Sequence, residues 1–163
     1  MSAQLQARSR LRPMTLGDLD AVLRTETAAY TFPWSRGNFI DSLASGYLAE
    51  LLLAPDGALI GYFVAMGGVD ELHLLNLTVA PAQQGRGHGN ALLDVLLARG
   101  REQQLATLWL EVRASNHRAR TLYERRGFAE VGLRRGYYPA ARAQREDAIV
   151  MSLALGGTAH AVE

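Results

Sequence analysis

A strand, a glycine-rich loop and a helix follow one another between residues 71 and 100, and this succession constrains the fold most. The strand is predicted over Glu71–Val79, and apolar side chains at helical spacing predict a helix that ends near Gly100. Glycines let the loop backbone approach a ligand closely, and the free N–H groups at the helix start suit a pyrophosphate. An anion site is therefore predicted, the alternative being a mobile surface loop. The loop is Gln84-Gly85-Arg86-Gly87-His88-Gly89.

The elements before the loop predict an antiparallel beginning to the sheet. A short strand is expected over Leu11–Leu16, followed by a helix over Asp18–Tyr30 that Thr15 or Asp18 caps, and by a second short helix with its N-cap at Ser35. The runs YLAELLLA and ALIGYFVAMGG, separated by a Pro-Asp-Gly turn, predict a hairpin.

The elements after the loop complete an α/β protein with a mixed α+β sheet. We expect the strand ATLWLEV, a helix from a cap at Ser115 to about Arg126 with Gly127 as its stop, and the strands FAEVGL and AIVMSL joined by a polar loop. The predicted fold class is a central, mostly antiparallel sheet flanked by helices.

The domain organisation expected from the length is simple. A chain of 163 residues is typical of one domain, so we expect a flexible N-terminus over 1–10, a single domain over 11–155 and a flexible tail over 156–163. The start MSAQLQARSR has no apolar run typical of a signal peptide, and no stretch reaches membrane-spanning length. We therefore expect a cytoplasmic protein without a membrane anchor.

Two missing residue types exclude whole classes of mechanism. The chain has no cysteine, and its 17 basic residues are all arginine. Disulfide scaffolds, acyl-cysteine intermediates, lysine Schiff bases and the lysine of a GxxxxGK[ST] loop are therefore excluded. The four histidines lack metal-ligand spacing, so no metal is expected. A net charge of +1 argues against nucleic acid as the main ligand.

A dinucleotide site is the rival interpretation of the loop. Glu111 follows Gly89 at the distance where a ribose-binding acid would lie. The loop, however, has the pattern GxGxG rather than GxGxxG, four residues separate it from the strand, and an antiparallel hairpin precedes it. These departures disfavour a dinucleotide fold.

The pattern Gln84-x-x-Gly87-x-Gly89 after Asn76-Leu77-Thr78-Val79 resembles the acetyl-coenzyme A loop, [RQ]-x-x-G-x-[GA], of the GNAT superfamily of N-acetyltransferases. Five further blocks in order resemble the RimI group of ribosomal-protein-alanine N-acetyltransferases. That resemblance implies the GNAT fold from about Leu11 to Leu153, and acetylation of the N-terminal alanine of protein eighteen of the small ribosomal subunit. The blocks are FPWS (32–35), LWLEVRASN (108–116), LYERRGF (122–128), RRGYYP (134–139) and REDAIVM (145–151).

The resemblance also implies roles for individual residues. It places the general base at Glu111, acting directly or through water, and the general acid for the coenzyme A thiolate at Tyr123. Without the family match, a solvent-facing acid and an ordinary packed aromatic would be the simpler interpretations. The implied acetyl-coenzyme A contacts are Asn76, Leu77, Thr78, Val79, Gln84, Gly85, Arg86, Gly87, His88, Gly89 and Asn116, the last with a structural role at a helix start as its alternative.

The chemistry favours direct attack of an amine on the thioester. Because no cysteine can carry the acyl group, transfer within a ternary complex is the simplest route. Burial of Glu111 would raise its pKa toward that of a useful base, and a moderate base suits an α-amine better than a lysine.

The substrate side of the site is predicted from aromatic residues. Phe32 and Trp34, with Tyr137 and Tyr138, are candidate walls of a peptide groove, although Trp34 is equally compatible with core packing. The acids Glu26, Asp41, Asp70 and Glu71 are candidates for attracting a basic protein N-terminus, the expected partner. We expect a monomer or weak oligomer. The alternatives are a GNAT enzyme for lysine or small amines, and a non-catalytic nucleotide-binding or interaction module.

Overall fold

The computed structural model describes residues 9–156. Within that range the chain forms seven strands and four α-helices. The helices are α1 (Leu19–Ala29), α2 (Arg36–Ala44), α3 (His88–Glu102) and α4 (His117–Arg125). The strands are β1 (Arg10–Pro13), β2 (Leu48–Leu53), β3 (Leu59–Gly67), β4 (Glu71–Val79), β5 (Thr107–Arg113), β6 (Ala129–Pro139) and β7 (Arg145–Ala154).

The seven strands form a mixed sheet in the order β1-β2-β3-β4-β5-β7-β6. Strands β1 and β2, β2 and β3, β5 and β7, and β6 and β7 pair antiparallel. The pair β4 and β5 is parallel, because α3 returns the chain before β5 begins. Its register runs from Glu71 opposite Thr107 to Leu74 opposite Leu110. The predicted mixed, mostly antiparallel sheet with flanking helices is confirmed.

The chain divides into two compact units. The first comprises the chain up to Met66 together with Asn76–Leu96. Its largest fully buried side chains come from both helices and strands, and they are Leu19, Phe39, Leu51, Tyr62, Phe63, Leu92, Leu93 and Leu96. Burying one such leucine or phenylalanine contributes about 1.5–3 kcal/mol. The stability of this unit therefore comes from an aliphatic and aromatic core.

The second unit comprises Gly67–Leu75 and the chain from Leu97 onward. Its fully buried large side chains are Leu72, Leu108, Leu110 and Met151. Gly100 of α3 allows close packing here, because a Cβ at this position would lie 2.7 Å from a methyl carbon of Leu155. The single domain expected over 11–155 stays a prediction. The flexible start and tail fall largely on residues 1–8 and 157–163, outside the described residues, although Arg10 already begins β1.

The N-terminal strand is shorter than predicted. It ends at Pro13, and Leu16–Asp18 forms a 3₁₀ turn that leads into α1. Asp18 stabilises this turn, since its carboxylate accepts hydrogen bonds from the backbone N–H and hydroxyl of Thr15 at 2.8 and 2.9 Å. Arg12 also donates to Asp18 through both terminal nitrogens, and this contact lowers the pKa of Asp18 to about 2. The predicted strand over Leu11–Leu16 was wrong at its C-terminal end.

Two helix starts test the capping predictions. Ser35 caps α2 as predicted: its hydroxyl accepts from the backbone N–H of Asn38 at 3.1 Å. The cap of α4 is Asn116 rather than Ser115, because the side-chain oxygen of Asn116 accepts from the N–H of Ala119 at 3.1 Å. The predicted stop at Gly127 is confirmed by its φ of +93°.

The polar loop predicted between the last two strands is shorter than expected, since only residues 140–144 connect β6 to β7. Residues 134–139 belong to β6, which pairs with β7 across a register shift between Arg134 and Tyr138. Gly136 adopts a φ of +59° at this irregularity, and its N–H donates to the Asp147 carboxylate at 2.8 Å. The local bulge lets the ladder resume at Tyr138, so a segment with loop-like composition forms strand.

Candidate active site

The glycine loop has the backbone geometry that an anion site needs. Gly85 and Gly87 have φ values of +77° and +83°, in the left-handed region that favours glycine. A Cβ on Gly87 would meet no atom within 4 Å, so this glycine is required by the backbone conformation rather than by crowding. Helix α3 begins directly afterwards at His88. The positive end of the α3 dipole therefore lies at the loop, where it favours an anion.

The loop is tied to the end of β4 by a side chain. The Gln84 amide nitrogen donates to the carbonyl oxygen of Val79 at 3.1 Å. Arg86 is exposed, and its guanidinium donates to the side-chain oxygen of Gln83 at 3.3 Å. The structure thus gives Gln84 a definite role in fixing the loop, while Arg86 places a positive charge beside it.

The C-terminal half of β4 is held by hydrogen bonds from Tyr30, the residue that follows α1. The Tyr30 hydroxyl donates to the carbonyl oxygen of Leu77 at 3.1 Å and contacts the Thr78 hydroxyl at 2.8 Å. Burial raises the pKa of Tyr30 to about 12, the bond to Thr78 opposes this rise, and the Glu26 charge adds to it. The segment Asn76–Val79 is therefore rigidly placed, although the side chains of Asn76 and Thr78 are turned into the interior.

A buried carboxylate on α1, that of Glu26, accepts hydrogen bonds from polar groups of that interior. Glu26 is 1% exposed and accepts hydrogen bonds from the hydroxyl of Tyr62, from the Asn76 amide nitrogen at 3.2 Å to each oxygen, and from the backbone N–H of Trp34 at 3.1 Å. The Thr78 hydroxyl lies 3.5 Å from it and donates to Asn76 at 2.6 Å. The expectation that Glu26 attracts a basic peptide is wrong, because this carboxylate is buried and its oxygens accept internal donors.

The aromatic residues of the FPWS segment occupy different environments. Trp34 is half-buried and its ring packs on the buried Phe39 with centroids 5.1 Å apart. Phe32 is 41% exposed. Trp34 thus packs on the core, whereas Phe32 presents an aromatic surface; the groove predicted from these two residues stays a prediction.

Glu111 is the candidate base, and it lies in β5 within the second unit. Its side chain is 7% exposed, which contradicts the interpretation as a solvent-facing acid. One carboxylate oxygen, Oε2, lies 2.6 Å from Nε2 of His73 on β4. The other oxygen, Oε1, lies 3.4 Å from Nε of Arg134 on β6. Glu111 is therefore a buried carboxylate with a close imidazole and a more distant guanidinium.

Tyr123 is a buried residue of α4. It is 7% exposed, and its ring meets Phe128 edge-on with centroids 5.4 Å apart. Its carbonyl oxygen accepts from the N–H groups of Arg126 and Phe128 at 3.1 and 3.0 Å, so it also shapes the end of the helix. This packing accounts for its burial, and its predicted role as an acid stays a prediction.

Asn116 and its neighbours have structural roles at the start of α4. The side-chain oxygen of Asn116 is the helix cap described above, which leaves its amide nitrogen for any cofactor contact. Among the arginines considered for a 3′-phosphate, Arg120 donates to the Ala114 carbonyl at 2.8 Å and pairs with Glu130 at 3.0 Å. Arg118 and Arg125 lie on the same helix.

The two tyrosines of β6 form an aromatic and cationic surface. Tyr137 and Tyr138 pack edge-on with centroids 4.9 Å apart. The guanidinium carbon of Arg113 lies 4.6 Å from the ring centroid of Tyr138, and that of Arg134 lies 5.5 Å from that of Tyr137. Burial, and next the charge of Glu111, raise the pKa of Tyr138 well above its ordinary value. Tyr138 therefore remains a neutral phenol near neutral pH.

Residues 9–156 contain neither a candidate metal site nor a helix that could span a membrane. No group of three or more histidine, aspartate or glutamate side chains in this range could hold a metal ion. None of the helices in this range combines the length and apolarity needed to cross a membrane.

The family follows from comparison with known proteins. Residues 19–128 match the model of the Acetyltransferase (GNAT) family. The chain belongs to the GNAT family of acetyltransferases and is an N-acetyltransferase. Acetyltransferases of this fold use acetyl-coenzyme A as the acetyl donor.

Relatives narrow the assignment within the family. The chain is 42% identical over 136 residues to the ribosomal protein bS18-alanine N-acetyltransferase of Escherichia coli strain K12, which covers 83% of this chain and 90% of the relative. It is 39% identical over 135 residues to that of Haemophilus influenzae, covering 83% and 91%. The crystal structure of the ribosomal-protein-S18-alanine N-acetyltransferase from Escherichia coli matches with a TM-score of 0.86 and 37% identity, covering 95% and 99%. The predicted GNAT fold and the resemblance to the RimI group are confirmed.

Proposed function

We propose that this protein transfers the acetyl group of acetyl-coenzyme A to a protein N-terminal α-amine, and that its substrate is the N-terminal alanine of ribosomal protein bS18. The observation that carries the proposal is the similarity to bS18-alanine N-acetyltransferases over most of both chains. A ribosomal protein substrate also accords with a cytoplasmic protein.

Acetyl-coenzyme A would bind along β4 and the glycine loop. Backbone groups of Leu77 and Val79 would pair with the pantetheine arm, and a backbone N–H near Val79 would polarise the thioester carbonyl. The pyrophosphate would lie on the N–H groups of the loop and of the first turn of α3, with Arg86 neutralising charge. The positive φ values of Gly85 and Gly87 and the start of α3 directly after the loop support this assignment.

Catalysis would proceed by direct attack in a ternary complex. The amine nitrogen forms a bond to the acetyl carbon, the carbon–sulfur bond breaks, and the electron pair leaves on sulfur. Glu111 takes the proton released by the amine, and Tyr123 gives a proton to the thiolate. The burial of both side chains supports these roles, because general acids and bases act most effectively where water is excluded.

The choice of an α-amine rests on proton affinity. An α-amine has a pKa of about 7.7–8.0 and a lysine about 10.4, so deprotonating a lysine near neutral pH costs about 3.4 kcal/mol more. A carboxylate base can overcome the smaller barrier more easily. A peptide N-terminus therefore suits Glu111 better than a lysine side chain does.

The peptide would contact exposed aromatic side chains. Phe32 and Trp34 contribute from the segment before α2, and Tyr137 and Tyr138 contribute from β6. The partly exposed rings of Phe32 and Tyr137 support this assignment. We expect the enzyme to act as a monomer or weak oligomer.

The test is a panel of peptides incubated with the full-length protein and acetyl-coenzyme A. A peptide that begins with Ala-Arg should be acetylated at its α-amine, whereas the same peptide with a blocked N-terminus and an internal lysine should not react. Mass spectrometry locates the acetyl group. Activity on the blocked lysine peptide alone would refute the N-terminal assignment, and no transfer to any amine would favour a non-catalytic nucleotide-binding module.

A further inference from the structure

His73 makes a contact that the proposed acetyl transfer leaves without a function. It lies on β4, in register with Trp109 of β5, and its Nε2 atom is 2.6 Å from Oε2 of Glu111. This is a charge-assisted hydrogen-bond distance. A histidine that only filled space in the sheet would not need to direct its ring nitrogen at a buried carboxylate.

The imidazole is held in one orientation. Its ring stacks on the indole of Trp109 with centroids 3.6 Å apart and planes at 8°. His73 is 9% exposed, so the ring cannot swing into water without losing this stack. Because the ring is stacked and largely buried, its orientation directs Nε2 at Glu111.

The environment of Nδ1 selects the protonation state of the ring. Within the described residues Nδ1 is buried and has no hydrogen-bond partner. An imidazolium ring would bury an Nδ1–H group without an acceptor. A neutral ring with its proton on Nδ1, accepting a hydrogen bond from Glu111 at Nε2, would do the same. Burying an N–H group without an acceptor is costly. The neutral ring with its proton on Nε2 avoids that cost. His73 therefore donates to Glu111.

We propose that His73 is a positioning residue for the base Glu111: it donates its Nε2 proton to Oε2, fixes the carboxylate, and leaves Oε1 to take the proton of the attacking amine. The proposal rests on the acetyl transfer proposed above. The His73 proton stays on Nε2 throughout, so the ring adds no step to the reaction. It determines which oxygen of Glu111 reacts and in which direction that oxygen points.

Other charged and titratable groups near Glu111 come from β6. Arg134 faces Oε1 at 3.4 Å but is 49% exposed, so solvent screens its charge. Tyr138 stays neutral near neutral pH, because its pKa is raised well above the ordinary value by burial and by the Glu111 charge. The buried hydrogen bond from His73 is therefore the strongest direct influence on the carboxylate.

The test compares four variants of the full-length enzyme in acetyl transfer to the Ala-Arg peptide. In His73→Gln the amide nitrogen reaches as far as Nε2, whereas His73→Asn is too short and His73→Leu lacks a donor. We expect His73→Leu and His73→Asn to lower kcat about 10- to 100-fold with the KM for acetyl-coenzyme A unchanged. His73→Gln should retain most of kcat. The exposed His117→Gln on α4 is the histidine control.

The pH profile separates positioning from packing. Loss of a hydrogen bond to the ionised carboxylate raises its pKa, so the acidic limb of kcat/KM should move to higher pH in His73→Leu and His73→Asn and stay in place in His73→Gln. If His73→Leu does not fold, the comparison of His73→Gln with His73→Asn tests the positioning role. Equal kcat and equal acidic limbs in those two variants would overturn the proposal.

Glu111→Gln, measured alongside these four variants, distinguishes this proposal from the function on which it rests. An inactive Glu111→Gln with fully active His73→Leu and His73→Asn would refute the positioning role and leave the acetyl transfer intact. A Glu111→Gln enzyme as fast as the wild type would instead refute the assignment of the base itself.

Discussion

The two compact units each bury a carboxylate, and the two carboxylates differ in how completely they are hydrogen-bonded. Glu26 in the first unit accepts from the Tyr62 hydroxyl, the Asn76 amide and the Trp34 N–H. Glu111 in the second unit has one close donor, His73, and a guanidinium at 3.4 Å from its other oxygen. The two carboxylates are thus similarly buried, but they accept hydrogen bonds from very different numbers of close donors.

The difference shows how a carboxylate is assigned to structure or to chemistry. Protonating or moving Glu26 would weaken or break several of these hydrogen bonds, so Glu26 is suited to joining α1, β3 and β4. Glu111 keeps an oxygen with no close hydrogen bond, so it can accept a proton without disrupting a network. We infer that Glu26 stabilises the fold and that Glu111 serves the reaction.

Glu111→Gln should have the largest effect on activity. We expect kcat to fall between about a hundredfold and ten-thousandfold, because the amide cannot accept the proton of the amine. The free energy of unfolding should change by less than about 1 kcal/mol, since the amide oxygen still accepts from His73. Peptide acetylation and urea unfolding of the same preparation check both values. A large fall in the free energy of unfolding alongside the fall in kcat would show that Glu111 has a structural role.

Glu26→Gln should have the opposite effect. The new amide group presents N–H donors to neighbours that are themselves donors, and a hydrogen bond to a charged group is worth about 1.5–3 kcal/mol, so we expect a loss of about 3 kcal/mol in stability. Under conditions where the variant is folded, kcat should remain within a few-fold of the wild type. Urea unfolding and peptide acetylation provide the measurements. Unchanged stability with lost activity would show that Glu26 serves the reaction rather than the fold.

Much of the fold was predictable because its signals are local. The spacing of apolar residues, together with residue types typical of turns and helix caps, identified β4, the hairpin of β2 and β3, and the Ser35 cap. The strand character of residues 134–139 was missed, because pairing with β7 across the Gly136 bulge is a long-range effect that composition does not encode. Ser115 was predicted as the cap, and a structural role at the helix start was only the alternative for Asn116, because the two residues are equally good capping residues by type.

Gly61→Ala tests how tightly the first unit holds the end of β4. A Cβ at Gly61 would lie 2.4 Å from the Thr78 carbonyl oxygen, so the backbone of β4 would have to move. We expect a loss of about 2 kcal/mol in stability and a raised KM for acetyl-coenzyme A. Gly67→Ala, also on β3, is the matched control because its Cβ would meet nothing within 4 Å. Equal effects of the two substitutions would contradict the proposed close packing.

The titration of Tyr30 should report the charge of Glu26, with the smallest effect of the series. Its pKa of about 12 lies above the ordinary value, so its neutral form is favoured by folding, and that contribution to stability is lost as the pH rises from about 10 through 12. Glu26→Gln should lower this pKa but leave it above 10, because burial is the larger cause. Phenolate absorbance, assigned with Tyr30→Phe, measures it. A pKa that is identical in both proteins would exclude a charged Glu26.

The site was less predictable than the fold. The motifs singled out Glu111 and the glycine loop, but neither Glu26 nor His73 carries a local signal of its side-chain partner, since the contacts Glu26–Tyr62 and His73–Glu111 join residues 36 and 38 positions apart. A buried-looking helix position occupied by Glu26, in line with Leu19 and Val22, is the one clue that the sequence offered.

The most direct test of Glu111 as the base is the ratio of wild-type to Glu111→Gln kcat, measured with the Ala-Arg peptide from pH 6 to about 9.5. The α-amine loses its proton unaided above its pKa of about 7.7–8.0, so a base becomes less necessary as the pH rises. We predict a ratio that is large at pH 6 and falls steadily above pH 8. A ratio that stays constant over the whole range would contradict the assignment of Glu111 as the group that takes the proton of the amine.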